Sequence, residues 1–449
     1  MPQRSRNRRF GVTALSRRRF LTQSSVSATL LGMAPRLWAA GPPPDPPRID
    51  PGYVAPQYYD SHEEDALLEV LESGSPFRYY GPGTPDKVLK FEEDFARYMG
   101  ASYALGVTSG TAALDCAVTA LGIGPGDEVI VPAYTWWSDY TCVVQAGALP
   151  VFVDIDRSLC VDPEDFARKI TPRTKALIAV HLLGGPCDMD PILETAQEHG
   201  VQILEDAAQC VGGSYRGRRL GSIGQIGIYS FQLHKMISSG EGGAVVSSDP
   251  LTFERAVRFH DMGAVRDVFK DRLGGERLSE FAGENFRMSE FTGAVLWAQL
   301  PKLDSMVGAL RENAASVREG IKSLPGIKMR KRPDPEGDIG YAVYIELADK
   351  QSRDRGIGLL RERGIPASTL TGSILLPIQE SIMEKRARHP NWPSFNSPEG
   401  RAIQYGPDCC RQTLEIFDRF VQVRIGPRYT QSVNDRIVAA IREVYPLVS

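Results

Sequence analysis

Between Ala104 and Val246 the chain alternates short apolar runs with longer helical stretches. The runs fall at 104–107, 128–131, 150–153, 176–180, 201–205, 226–230 and 243–247. Such alternation marks an α/β chain whose sheet is mostly parallel and covered by helices on both faces. It leaves few other folds open, because parallel neighbours need a crossover between them. In an open sheet of this kind, ligands bind beyond the carboxyl ends of the strands. Residues that follow the runs are therefore the first candidates for function.

Three such places carry chemistry. The strand Val201–Leu204 runs into Glu205-Asp206-Ala207-Ala208-Gln209, which puts a carboxylate at the crevice. The run ending in Ser230-Phe231 is followed by Lys235 and then by the turn Gly240-Glu241-Gly242-Gly243. Lys235 stands among Leu233, Met236 and Ile237, with no acid nearer in sequence than Glu241. Desolvation there would lower its pKa, and a neutral amine can form a Schiff base with a carbonyl. Taken alone, a solvated loop lysine is the plainer reading. Asp206 lies 29 residues upstream, room for one crossover. Upstream again, Ser109-Gly110-Thr111 opens a helix after a strand, and a helix N-terminus with added hydroxyls suits a phosphate. Pyridoxal 5'-phosphate (PLP) needs a lysine, an acid for its ring nitrogen and a phosphate cup. All three are present, in an order far more specific than any one of them.

With these stretches the chain resembles the DegT/DnrJ/EryC1/StrS family of PLP-dependent sugar aminotransferases. Further matching segments are Gly126–Pro132, Pro150–Asp154, Val180-His181-Leu182 and Asn285-Phe286-Arg287-Met288-Ser289-Glu290. The resemblance runs from about residue 60 onward and thins after about residue 305. It implies the aspartate-aminotransferase fold type (fold type I), with a seven-stranded large domain and a smaller C-terminal α+β domain. It also implies a homodimer with shared active sites. Under it, Lys235 binds PLP and moves the proton, and Asp206 keeps the ring nitrogen protonated. Ser109, Gly110, Thr111 and Ser230 hold the phosphate, Trp136 stacks on the ring and Gln209 lies near the phenolic oxygen. Asn285 reaches the partner's phosphate. His181 and Arg287 are weaker candidates for substrate contact. A satisfied structural histidine and a capping loop are their plainer readings. The amino donor expected is glutamate or glutamine, and the acceptor a keto-sugar, nucleotide-linked, or a keto-cyclitol. Two rivals stay open. One is a PLP-dependent sugar dehydratase, which Lys235 disfavours because such relatives can carry histidine there. The other is a non-catalytic protein on the same scaffold.

The ends of the chain carry separate signals. Residues 1–40 hold eight arginines and no lysine or acid, so a net charge of −3 conceals a body of −11. An acidic body argues against nucleic acid as a partner. Ser16-Arg17-Arg18-Arg19-Phe20-Leu21, followed by a modest apolar stretch, resembles a twin-arginine export signal. It points to a periplasmic enzyme. A disordered basic tail in a cytoplasmic protein is the alternative. The stretch is too short and polar for stable membrane insertion. Residues 41–58 are expected as a proline-rich linker, 59–300 as the large domain and 301–449 as the small one. The loop Pro390–Phe395 is expected at the substrate entrance. Seven scattered cysteines show neither metal-ligand spacing nor a disulfide framework.

Overall fold

The computed structural model describes residues 47–449. The expected export signal lies outside them. Seven strands form the main sheet: β1 (Tyr103–Val107), β2 (Glu128–Pro132), β3 (Leu149–Val153), β4 (Thr174–Val180), β5 (Gln202–Asp206), β8 (Ile226–Ser230) and β9 (Gly243–Ser247). A two-residue hairpin, β6 (Ser214–Tyr215) and β7 (Arg218–Arg219), interrupts the series. The order across the sheet is β1-β9-β8-β5-β4-β2-β3. Only β9 runs against its neighbours, β1 and β8. It can do so because a glycine turn returns the chain directly from β8, with no crossover to traverse.

Nearly every residue of these strands is buried. This is what a sheet covered on both faces requires, and why the runs are apolar without alternation. Among the covering helices, α1 (Ser61–Ser73) starts with a reciprocal capping box between Asp60 and Glu63. On α2 (Lys87–Met99), Phe91 and Phe95 stack at 5.2 Å and are fully buried. Next come α3 (Gly110–Ala120) and α4 (Trp137–Gln145), which start directly after β1 and β2 and pack on each other.

The long helix Leu303–Ile321 leads to a second, antiparallel sheet ordered β10-β11-β13-β12. Its strands are β10 (Lys328–Met329), β11 (Ala342–Glu346), β12 (Ala367–Thr369) and β13 (Phe420–Arg424). Residues 49–58 do not hang free. Ile49 donates its N–H to Gly364, Val54 and Ala55 are buried, and Arg424 donates to the Gly52 carbonyl at 3.1 Å. The loop expected at the substrate entrance lies elsewhere. Trp392 and Ser394 both hydrogen-bond the Val144 carbonyl at the end of α4, and Phe395 is buried on Tyr405. Aromatic packing drew it away from the crevice. Among the described residues no helix is long and apolar enough to cross a membrane.

Candidate active site

At the carboxyl ends of β1, β2, β4, β5 and β8 a cavity of about 700 Å³ opens toward the second sheet. Ser109, Gly110, Thr111, Trp136, Asp206, Gln209, Ser230 and Lys235 all line it. These residues are dispersed over more than a hundred positions, and the strand order brings them together.

One end of the cavity is the start of α3. Ser109 caps it by accepting the Ala112 N–H at 3.1 Å, which leaves its own hydroxyl proton to donate elsewhere. A Cβ on Gly110 would lie 2.7 Å from the Cβ of Ser230, so only glycine lets the helix start press against the end of β8. Thr111 shares a hydrogen bond with Ser138 at 2.7 Å. The result is a concave cluster of hydroxyls and helix-end amides with no acid among them, a fit for a phosphate.

The other functional groups stand beyond it. Strand alternation sends adjacent acids to opposite faces. Glu205 points inward, where it accepts N–H groups of Gly221, Ile223 and Gly224 at 2.6–2.8 Å. Asp206 points to the cavity and accepts only the Ala208 N–H, at 2.7 Å, from a backbone donor. Lys235 follows a turn closed by its own N–H to the Gln232 carbonyl. Burial lowers its ammonium below the usual range, against the opposing pull of Asp206 and Asp139. Trp136 presents an aromatic face at the rim, 54% exposed, where a flat ring can cover it. Gln209 accepts the Leu183 N–H at 3.1 Å, which orients its amide. Lysine, acid, aromatic face and anion cup thus fit PLP.

His181 and Arg287 are not brought to this cavity, and Asn285, expected at the partner's, stands outside its own. His181 is fully buried behind the wall. Its Nδ1 accepts the Cys187 N–H at 3.1 Å, so Nε2 bears the proton and donates to Glu205 at 2.8 Å. Both ring nitrogens are engaged and neither can touch a substrate. Arg287 forms an ion pair with Asp261 instead of facing the cavity. Asn285 is exposed, bridged through its backbone to Asp261, and does not line the cavity of its own chain.

Two further residues had no sequence signal. Asp139, in the first turn of α4, is fully buried and accepts the Thr135 hydroxyl at 2.5 Å. An acid at a helix start ordinarily reads as a solvated cap. Arg424, at the end of β13, lines the cavity from the second sheet, over the Tyr341 ring at 5.3 Å. Its Nε is buried without an acceptor, and no carboxylate lies within ion-pair distance among the described residues. A strand arginine far from every motif gives no hint of that position.

A family model described as the DegT/DnrJ/EryC1/StrS aminotransferase family matches residues 57–390. The chain is 38% identical over 356 residues to a GDP-perosamine synthase of Vibrio cholerae, covering 77% of this chain and 90% of that one. It is 39% identical over 335 residues to an L-glutamine:2-deoxy-scyllo-inosose aminotransferase of Micromonospora echinospora, covering 73% and 78%. The crystal structure of 3-amino-5-hydroxybenzoic acid synthase matches with a TM-score of 0.74 at 30% identity, over 89% of this chain and 100% of that one.

Proposed function

This chain belongs to the DegT/DnrJ/EryC1/StrS aminotransferase family, and from that premise we propose that it moves an amino group from glutamate or glutamine to a keto-sugar, nucleotide-linked, or to a keto-cyclitol. Enzymes of this family are PLP-dependent aminotransferases. The observation that carries the reading is the single cavity shared by Lys235, Asp206 and the α3 cup.

When bound, PLP supplies a carbonyl for the donor's amino group and a ring that accepts electrons from the substrate carbon. The chain does the rest. Ser109, Gly110, Thr111 and Ser230 hold the phosphate and so fix where the ring lies. Trp136 covers one face of it and keeps water from that side. Asp206 holds a proton on the ring nitrogen. Lys235, with its lowered pKa, takes a proton from the substrate carbon and returns it at the neighbouring position. Arg424 suits an oxyanion of the substrate, because a buried guanidinium N–H without an acceptor is costly. Asn285, exposed and outside the lining of its own cavity, suits a homodimer in which it completes the partner's cup. The arginine-rich start suits twin-arginine export of the folded, cofactor-loaded enzyme. Presence of Lys235 favours amino transfer over dehydration.

The test is a screen of purified protein for amino transfer from L-glutamate and L-glutamine to nucleotide-linked keto-sugars and to keto-cyclitols. We expect one acceptor class to be aminated. A protein that binds PLP yet transfers no amino group to either class would sink the reading.

A further inference from the structure

Amino transfer as described gives no role to Asp139, a carboxyl in the first turn of α4 that is fully excluded from water. Its Oδ2 accepts the Thr135 hydroxyl. Its Oδ1 is buried and has no hydrogen-bond donor. The carboxyl of Asp206 stands within side-chain hydrogen-bonding reach of the Asp139 carboxyl. Asp206 has one oxygen engaged by the Ala208 N–H.

Two carboxylates in contact inside a protein cannot both stay charged without a bridging proton. An acid in the first turn of a helix is ordinarily favoured as an anion by the helix dipole. Here burial, and then the charge of Asp206, outweigh that preference and push the Asp139 carboxyl well above the usual carboxylate range. Burial raises Asp206 as well, but the Ala208 N–H opposes the rise. The pair therefore keeps one proton, and the oxygen left without any donor is Asp139 Oδ1. Other groups face the pair. Lys235 favours the charged form of both acids. Cys142 on α4 and Asp115 on α3 complete the surroundings, with Cys142 held as a thiol by burial and by these acids. None of them supplies a hydrogen-bond donor to Asp139 Oδ1.

We propose that Asp139 is a positioning residue, a neutral carboxylic acid that donates its O–H to Asp206 and keeps Asp206 a carboxylate facing the cofactor's ring nitrogen. The donated bond stabilises a charge-separated contact, carboxylate against protonated ring, in a dry site. Without it, the neutral arrangement gains, with the proton moved onto Asp206 and the ring nitrogen bare. The inference rests on reading Asp206 as the ring nitrogen's partner.

The test loads the full-length protein with PLP labelled with nitrogen-15 in the ring and reads the ring nitrogen by NMR near neutral pH. Wild type should show a protonated nitrogen. Asp139→Ala should move the signal toward unprotonated pyridine and lower turnover about tenfold or more, the loss of one charge-assisted hydrogen bond. Asp139→Asn keeps an N–H donor of the same shape and should restore the wild-type signal and most of the rate. A ring signal identical in all three proteins overturns the proposal, and so does an Asn variant that falls with the Ala variant. Should the Ala variant not fold, infrared difference spectra of the cofactor-free wild type and Asp139→Asn decide. We expect a protonated-carboxyl stretch near neutral pH in wild type only, and its absence overturns the proposal. The nitrogen signal and the infrared band need no substrate. Failure of amino transfer would therefore sink the proposed function and leave this inference standing.

Discussion

Lys235 and Asp206 differ in what their loss should do, because they act on different atoms. Lys235→Ala removes the only lysine among the described residues that line the cavity. Turnover should be abolished and the absorbance of the bound cofactor should shift, while the cup and Trp136 still hold PLP and the fold persists. Normal activity in that variant would rule out the mechanism. Asp206→Asn keeps size and shape, and the Ala208 N–H still finds an oxygen. PLP should stay bound, yet the rate should fall by roughly two orders of magnitude or more, since the ring accepts electrons well only when its nitrogen is protonated. A near-native rate would make Asp206 structural. Glu205, next to it, shows how little residue type alone says. It is as buried as Asp206, but three backbone N–H groups and His181 consume its oxygens.

Helix α3 serves the site with its first turn and takes a cost further along. Asp115, in its middle, is pushed up from 3.8 to about 6, mainly by burial and then by Glu284. A raised acid favours its neutral form in the folded chain. It therefore costs nothing at a pH below the ordinary carboxylate value, and the cost grows as pH rises through about 6. A shift of about two pKa units corresponds to ~3 kcal/mol at most. Asp115→Asn should leave the melting temperature unchanged in acid and raise it by about one to three degrees in mild alkali, a gain on the order of 1–3 kcal/mol. Thermal melts at both ends of that range check the sign, and a gain confined to acid would contradict it. The helix start should be unaffected, because the Ser109 cap and the close approach of Gly110 to Ser230 lie a full turn away.

At the scale of the whole molecule, the exposed Asn285 is the testable feature. If it completes the partner's phosphate cup, a two-fold dimer exchanges the residue in both directions. Inactive Lys235→Ala subunits mixed with weakly PLP-binding Asn285→Ala subunits should then regain activity. In the mixed dimer one site has both a wild-type lysine and a wild-type asparagine. No gain on mixing, with subunit exchange confirmed separately, would refute shared sites. The sequence by itself determined the seven strands of the main sheet, the helix start at Ser109–Thr111, and Asp206 and Lys235 as residues of one crevice. Each of these is written in local pattern: apolar runs of strand length, a capped helix start, an acid at a strand end. Only the tertiary structure decided the rest. It turned His181 onto Glu205 and Arg287 onto Asp261, and set Asp139 beneath Asp206 and Arg424 across the cavity. Those outcomes depend on which element packs against which. A side chain's charge and partners are set by neighbours that sequence spacing does not reveal.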